Sequence, residues 1–460
     1  MDPKVAAGGC VSIAIALMLG SVSINDAAAQ SLEEALVSAY LTNPDLESQR
    51  AALRATDELL PQALAGWRPT LQLATSAEYS DINSPAGDGN LGTIANSISV
   101  DQNVYAGGET VANTRRAERL IRLERSQLTA AEQDVLLSTV EAYTSLLNDL
   151  AVLEFAKQNE NRLKRQLQAT RDRFEVGEVT RTDVAQAEAS LAGAASERVR
   201  AAGAIEASKA TFRRVIGLEP SSLIPPNALK DLPETEQAAQ QLAESFNPNI
   251  LAGQFNLAAA KEDVSVAEAS LYPSLSVNGE LTYTDEPSLS VEYQSVASIG
   301  ATLAIPLYQG GGEYAQVRQN KQTVRQRQSD VDSVYRTVRE EVTSAWQALM
   351  TAQSSIVSFT EQVRAAEIAL DGSRQEALVG QRTTLDVLDQ ENDLFQAEVD
   401  LVGAQRDEIV ASYRVKAAIG DLTAQAINLP VTPYNVETNY EDVRSRWFGL
   451  GEDPIDERQR

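Results

Sequence analysis

The chain repeats itself, and this constrains its fold more than any local motif, because a duplicated sequence has to build two copies of one structural unit. Asn43-Pro44 returns as Asn247-Pro248, an offset of 204, and Pro69, Leu71 and Tyr79 return at that offset as Pro273, Leu275 and Tyr283. Further on the offset is 203. Val176-Gly177 matches Val379-Gly380, Asp183-Val184 matches Asp386-Val387, Glu188 and Leu191 match Glu391 and Leu394, and Ile216-Gly217 matches Ile419-Gly420. Landmarks that keep their order over so long a stretch, with a drift of one residue, are not a product of chance. The pattern divides the chain into a first repeat over 31–230, a second over 231–420 and a tail over 421–460.

Each repeat has the same internal order. A helical segment comes first, 32–60 and 236–271. Two strand-like segments follow, at about 70–80 and 94–105 and again at about 274–284 and 296–308. Two long helical segments close the unit, about 109–175 and 183–216, then about 313–378 and 386–419, each pair joined at a Val-Gly turn. The strand segments alternate with period two: Leu71, Leu73, Ala77 and Tyr79 on one face against Gln72, Ser76 and Glu78 on the other, and Leu275, Val277, Leu281 and Tyr283 against Ser274, Ser276 and Glu280. Ile98, Val100 and Val104 and then Ile299, Ala301, Leu303 and Ile305 continue the pattern. Such segments suit a membrane barrel with lipid outside and water inside. An antiparallel sheet lying over a helix would alternate in the same way. The intervening 80–93 and 284–294, rich in Gly, Asn, Asp and Ser, read as exposed loops.

The helices carry a narrower signal. Leu136, Val140, Tyr143, Leu147 and Leu150 are spaced four and three in turn, and Phe395, Val399, Val402, Ile409 and Tyr413 fit the same repeat with Arg406 at one seam position. This is a coiled-coil seam. The proline-free run from 109 to about 170 would span roughly 90 Å at 1.5 Å per residue. A soluble coiled-coil spacer would give the same signal.

Composition closes several routes. With no histidine, His-based acid–base catalysis and His metal ligation are excluded, and the one cysteine, Cys10, lies in a segment over 1–29 that reads as a secretory signal peptide, with Lys4, an apolar stretch over 11–22 and Ala27, Ala28 and Ala29 before the cleavage point. No metal site, cofactor motif or nucleophile–base pair is found, so no enzyme is expected. A net charge of -26 repels phosphate backbones and argues against nucleic-acid binding. No later stretch approaches about 18 apolar residues, so entry into a membrane has to be by strands. Four strands with open edges cannot stand in lipid. Two chains would supply eight strands and three would supply twelve. Eight fill their interior with side chains, so passage prefers three.

With these features assembled, the chain resembles the TolC-type outer-membrane efflux proteins over 31–420. The resemblance rests on the paired Asn-Pro landmarks, Pro69 and Pro273, Leu307-Tyr308-Gln309-Gly310-Gly311, Val176-Gly177-Glu178-Val179-Thr180 and Val379-Gly380-Gln381-Arg382-Thr383. It implies an α+β membrane protein: a homotrimer whose long α-helical coiled-coil barrel is continuous with a twelve-stranded β-barrel, four strands per chain, in a Gram-negative outer membrane. A girdle of short helices and tail would surround a tunnel reaching into the periplasm. The turns at Val176, Gly177 and Thr180 and at Val379, Gly380 and Thr383 would meet a periplasmic adaptor, which joins the duct to an inner-membrane pump of RND or ABC type.

The resemblance also implies sites. Asp386 and Asp389 match the family's entrance aspartates, and their i, i+3 spacing puts both carboxylates on one helix face. In a trimer six would ring the pore and favour cations. Arg382 matches the arginine of a closing latch, with Thr182 and Asp183 as its partners. Ala377 stands where the best-known member has a tyrosine, which removes one tether. The cargo implied is small molecules such as drugs, detergents or bile-salt-like compounds. A type I protein-secretion duct is the alternative, and a periplasmic coiled-coil adaptor is an alternative of another class. In the tail, Leu429-Pro430 and Thr432-Pro433 read as extended, Trp447-Phe448-Gly449 as a dock on the girdle, and 452–460 as disordered.

Overall fold

A computed structural model of the chain describes residues 30–84 and 87–450. The segment over 1–29 read as a signal peptide and the tail end over 452–460 read as disordered lie outside the described residues.

Each repeat opens on two helices instead of the single segment expected from hydrophobic pattern. Helix α1 (Leu32–Thr42) starts at a capping box between Ser31 and Glu34, and α2 (Pro44–Asp57) starts afresh at Asn43. The break is imposed by Pro44, which cannot donate a backbone N–H and forces the residue before it out of the helical region. A short α3 (Leu59–Leu64) and a tight turn over Ala65–Trp67 then lead into the first hairpin, β1 (Thr70–Ser84) and β2 (Gly87–Ala106). Two long helices follow, α4 (Glu109–Glu175) and α5 (Arg181–Ile216). The second repeat has the same order: α6 (Glu236–Phe246), α7 (Pro248–Ala269), β3 (Ser274–Ser288), β4 (Val291–Ala304), α8 (Gly312–Leu378) and α9 (Thr384–Ala418). At 67 residues, α4 and α8 are each roughly 100 Å long.

The duplicated landmarks have a packing cause. The Nδ2 of Asn43 donates to the Val215 carbonyl at the end of α5 at 3.0 Å, while its Oδ1 caps α2 by accepting from the Asp45 N–H at 2.9 Å. Asn247 repeats both bonds, to Ala418 at 2.9 Å and from Asn249 at 3.0 Å. The helix end it grips must come close, so a side chain at Gly420 would sit 2.5 Å from the Phe246 carbonyl oxygen, and Gly420 is left-handed as well. Asn-Pro and Ile-Gly are thus two halves of one clamp, present twice.

The strands form one antiparallel sheet in the order β1-β2-β3-β4. Leu73, Ile98 and Leu281 stand opposite one another across three strands, and so do Gln72, Ser99, Glu280 and Ser298 across all four. One face is therefore apolar and the other polar. The apolar face has no cover among the described residues: Leu71 is 73% exposed and Ile299 85%. The segments read as loops are mostly strand. Pairing in the first hairpin continues to Ser84 opposite Gly87, and in the second to Ser288 opposite Val291, with an irregularity after Asp285 where Glu286 takes a positive φ. Gly92 opposite Tyr79 and Gly89 opposite Ile82 carry the ladder, since backbone pairing does not ask for a side chain. β4 ends at Ala304, short of the expected reach, ahead of Pro306.

The core lies where short helices cross long ones. Leu32, Leu36 and Tyr40 of α1 pack on Leu136, Val140 and Tyr143 of α4 and on Phe212 and Ile216 of α5, and Leu422 of the tail joins them. Ala239 and Ala243 of α6 meet Val338, Val342 and Leu349 of α8 and Val415 of α9 in the equivalent place. The seam of α4 is thus filled by α1 at this level, and Leu150, further along it, is exposed. The tail holds a helix its sequence did not announce, α10 (Val436–Arg444). It is tied to the first repeat by Arg125 to Glu437 at 3.0 Å and by Asn439 to Asp57 at 2.8 Å. Trp447 lies under the Arg68 guanidinium, 4.6 Å from ring centre to carbon.

Candidate functional site

The ends of the two long hairpins carry every residue singled out from the sequence. Both turns have one backbone solution. Val176 closes α4, Gly177 takes φ +80°, and the N–H groups of Gly177 and Glu178 return to the carbonyls of Phe174 and Arg173, each at 2.9 Å. Val379, Gly380 and Gln381 do the same with Ala377 at 3.2 Å and Glu376 at 2.9 Å. The glycine is needed because only it adopts that φ without strain, and two orphan carbonyls at each helix end are satisfied. Val176 and Val379 are left 72% and 71% exposed, apolar knobs at the extreme of the molecule.

The next helix begins at once. Thr180 caps α5 by accepting from the Asp183 N–H at 3.3 Å, and the Asp183 carboxylate accepts from the Thr180 N–H at 2.7 Å. Thr383 and Asp386 form the same box on α9, at 3.2 and 2.9 Å. Hydrogen bonds from the Thr383 backbone and hydroxyl, with Arg382 adding a smaller Coulomb contribution, hold the Asp386 carboxyl below its ordinary value, so it is anionic at neutral pH. Asp389 is exposed one turn further along the same face. The carboxylate expected at the entrance thus also starts its helix, and Asp183 does so in the first repeat.

Within one chain the latch residues are not joined. Arg382 Nε donates to Glu376 of its own hairpin at 2.9 Å, and Thr182 is exposed. Ala377 is buried with Leu370, Val387 and Leu394, so position 377 offers packing and no hydrogen bond.

A second charged cluster, missed in the sequence, lies just above. Glu391 of α9 is 1% exposed, in contact with Arg162 of α4 and Arg374 of α8. Arg162 also reaches Glu398 at 3.4 Å. The Arg162 Nε to Glu391 Oε2 separation of 2.9 Å is a charge contact without the angle of a hydrogen bond, which leaves both atoms formally unpartnered. Burial raises the Glu398 carboxyl despite Arg162. The signal for this cluster was in the repeat: Arg171 with Glu188 is the same pair one repeat earlier, at 2.6 Å and half exposed.

Among the described residues no helix is long and apolar enough to cross a membrane, and no cluster of acids could hold a metal. The arrangement suits a long walled conduit with an acidic end, set on a sheet that needs lipid on one face.

Known proteins agree with this geometry. The model of the family described as outer membrane efflux protein matches residues 35–218 and 239–421, one match per repeat. The chain is 36% identical to the outer membrane efflux protein BepC of Brucella suis over 95% of its own length and 96% of the relative's. It is 27% identical to the outer membrane protein TolC of Vibrio cholerae over 87% and 92%. The Campylobacter jejuni CmeC outer membrane channel superposes with a TM-score of 0.78 at 16% identity, covering 90% of this chain and 89% of that one.

Proposed function

The chain belongs to the outer membrane efflux protein family, and from that premise we propose that three copies form the exit duct of a tripartite export system. The observation that carries this reading is the sheet. Its two outer edges are unpaired and its apolar face uncovered, and it continues through Gly108 and Gly311 directly into helices too long to pack alone. Lipid tolerates strands only in a closed barrel, and twelve strands leave a water-filled bore where eight do not. The duct supplies passage and no catalysis.

In this reading the Val-Gly turns face an adaptor in the periplasm. The exposed Val176 and Val379 are apolar knobs of the size that fits between the helices of a partner hairpin. Asp386 and Asp389 ring the entrance and draw cations. An inner-membrane pump provides the energy, and small amphiphilic molecules are the cargo.

The test is planar-bilayer conductance of the purified protein, with a trivalent cation added on the periplasmic side. Cation-selective openings blocked by that ion, with block lost in Asp386→Ala/Asp389→Ala, are the expected result. Openings that the ion leaves untouched would remove the acids from the entrance. A protein of other stoichiometry by native mass spectrometry would remove the twelve-stranded barrel. Copurification of the inner-membrane partner identifies the pump class and with it the cargo.

A further inference from the structure

The sign of the charge reverses directly below the sheet. The four strands carry eight Asp and Glu and no Lys or Arg. The adjoining segments 109–127 and 312–330 carry nine Lys and Arg against five Asp and Glu, in a chain of net charge -26. Some of these bases are paired, as Arg116 is with Asp263 and Lys321 with Glu268. Arg115 and Arg122 of α4 and Arg318 and Arg325 of α8 are exposed, and none has a carboxylate within 4.0 Å among the described residues. Glu118, on the flank between the first two, pairs with neither. The four are two pairs under the repeat offset of 203, counted from Gly108 and Gly311 at the helix starts.

Their side of the wall follows from helix periodicity, since steps of seven residues return to about the same face. From Arg115, such steps pass Arg122 and reach Leu136 and Tyr143, which pack under α1. From Arg318, they pass Arg325 and reach Arg339 and Trp346, which meet α6: Arg339 donates to Glu244 at 2.9 Å, and Trp346 packs on the α6 cluster. Helices laid across a bore would block it, so α1 and α6 cover the outside and the four arginines face outward.

Their depth follows from the chain. Val111 and Tyr314, one turn nearer the sheet on that side, are exposed and continue its apolar surface. Arg115 and Arg318 lie seven residues past the helix-starting glycines, roughly 10 Å below the strand ends. Helical side chains lean toward the N-terminus, which here is the membrane end, so the guanidinium groups reach back up to where the apolar surface stops.

We propose that the upper pair of this outward, repeat-duplicated arginine belt, Arg115 and Arg318, binds the phosphate headgroups of acidic glycerophospholipids in the periplasmic leaflet of the outer membrane and fixes the depth of the duct. A planar guanidinium grips a phosphate through two N–H groups at once, and a charge at a membrane surface is scarcely screened at this range. The proposal rests on the placement of the sheet in the membrane and is independent of cargo.

The test uses full-length protein transferred from mixed micelles of equimolar phosphatidylglycerol and phosphatidylcholine, with retained lipid read by native mass spectrometry. The wild type retains phosphatidylglycerol about fivefold or more over phosphatidylcholine. Arg115→Gln/Arg318→Gln brings the ratio near even with unit conductance unchanged, and the double Arg→Lys variant keeps most of the preference. Either single Gln variant lowers the ratio part way, which reads the belt if the double variant fails to assemble. An unchanged ratio in the Gln variants, or no preference in the wild type, overturns the proposal. Loss of the preference in excess inorganic phosphate would reassign the belt to free anions and overturn it too. A wild type that retains the lipid but conducts no current would sink the duct reading and leave the belt standing.

Discussion

At the residue scale, the tip is built from charges used twice. Asp386 caps its helix and, in the proposed duct, would also offer its charge to the entrance, so its removal has a structural cost beside any electrostatic one. Arg382 is bound to Glu376 in an exposed pair, which contributes about 0–1 kcal/mol and so costs little to break. Arg382→Ala should raise single-channel conductance of the isolated oligomer; unchanged conductance would count against a latch there. The cluster above is of another kind. Removing Arg162 strands Glu398 and leaves Glu391 with Arg374 alone, which costs about 3–5 kcal/mol where the site is dry. Arg162→Ala should therefore speed amide exchange in α9 around 391–398 far more than at the Thr383 cap. Equal protection at both places would show that the cluster does not hold α9 to α4.

At the element scale, the clamp between Asn-Pro and Ile-Gly decides how each short helix meets its long hairpin. Asn247→Ala loses a cap and a buried hydrogen bond and exposes the Ala418 carbonyl to no partner, a loss of about 2–4 kcal/mol. Gly420→Ala should be worse, because the new Cβ meets backbone that cannot move away. Thermal unfolding followed by circular dichroism ranks the two; a Gly420→Ala protein as stable as the wild type would mean that the close approach relaxes freely. The strands carry the corresponding lesson. Alternation located them, yet Gly, Asn and Asp hid their outer halves, since those residue types mark loops statistically while the ladder needs only backbone.

At the scale of the whole molecule, the tail closes over the first repeat. It does so over two acids: the buried Asp57 under Asn439, and the half-buried Glu132, which accepts from the Ala424 N–H at 2.7 Å. Burial raises both carboxyls above their ordinary values of 3.8 and 4.5. A raised carboxyl binds its proton more tightly folded than unfolded, so stability falls as pH rises through the folded value and is greatest below the unfolded one. Docking of α10 should therefore tighten as pH falls from neutrality towards the ordinary carboxyl value of 4.5, seen as slower proteolysis between 421 and 450. Cleavage no slower at the lower pH, relative to an unstructured peptide cut by the same protease at each pH, would sink this account.

The sequence by itself determined the duplication, the order of elements, the strand faces and the turn chemistry, because each follows from local periodicity or from glycine and proline geometry. Arg162 with Glu391, the helix in the tail and the exposure of Arg115 and Arg318 were decided only by tertiary structure. They depend on which helix faces come together, and side chains far apart in the chain, such as Arg125 and Glu437, leave no spacing to read until the fold brings them within a hydrogen bond.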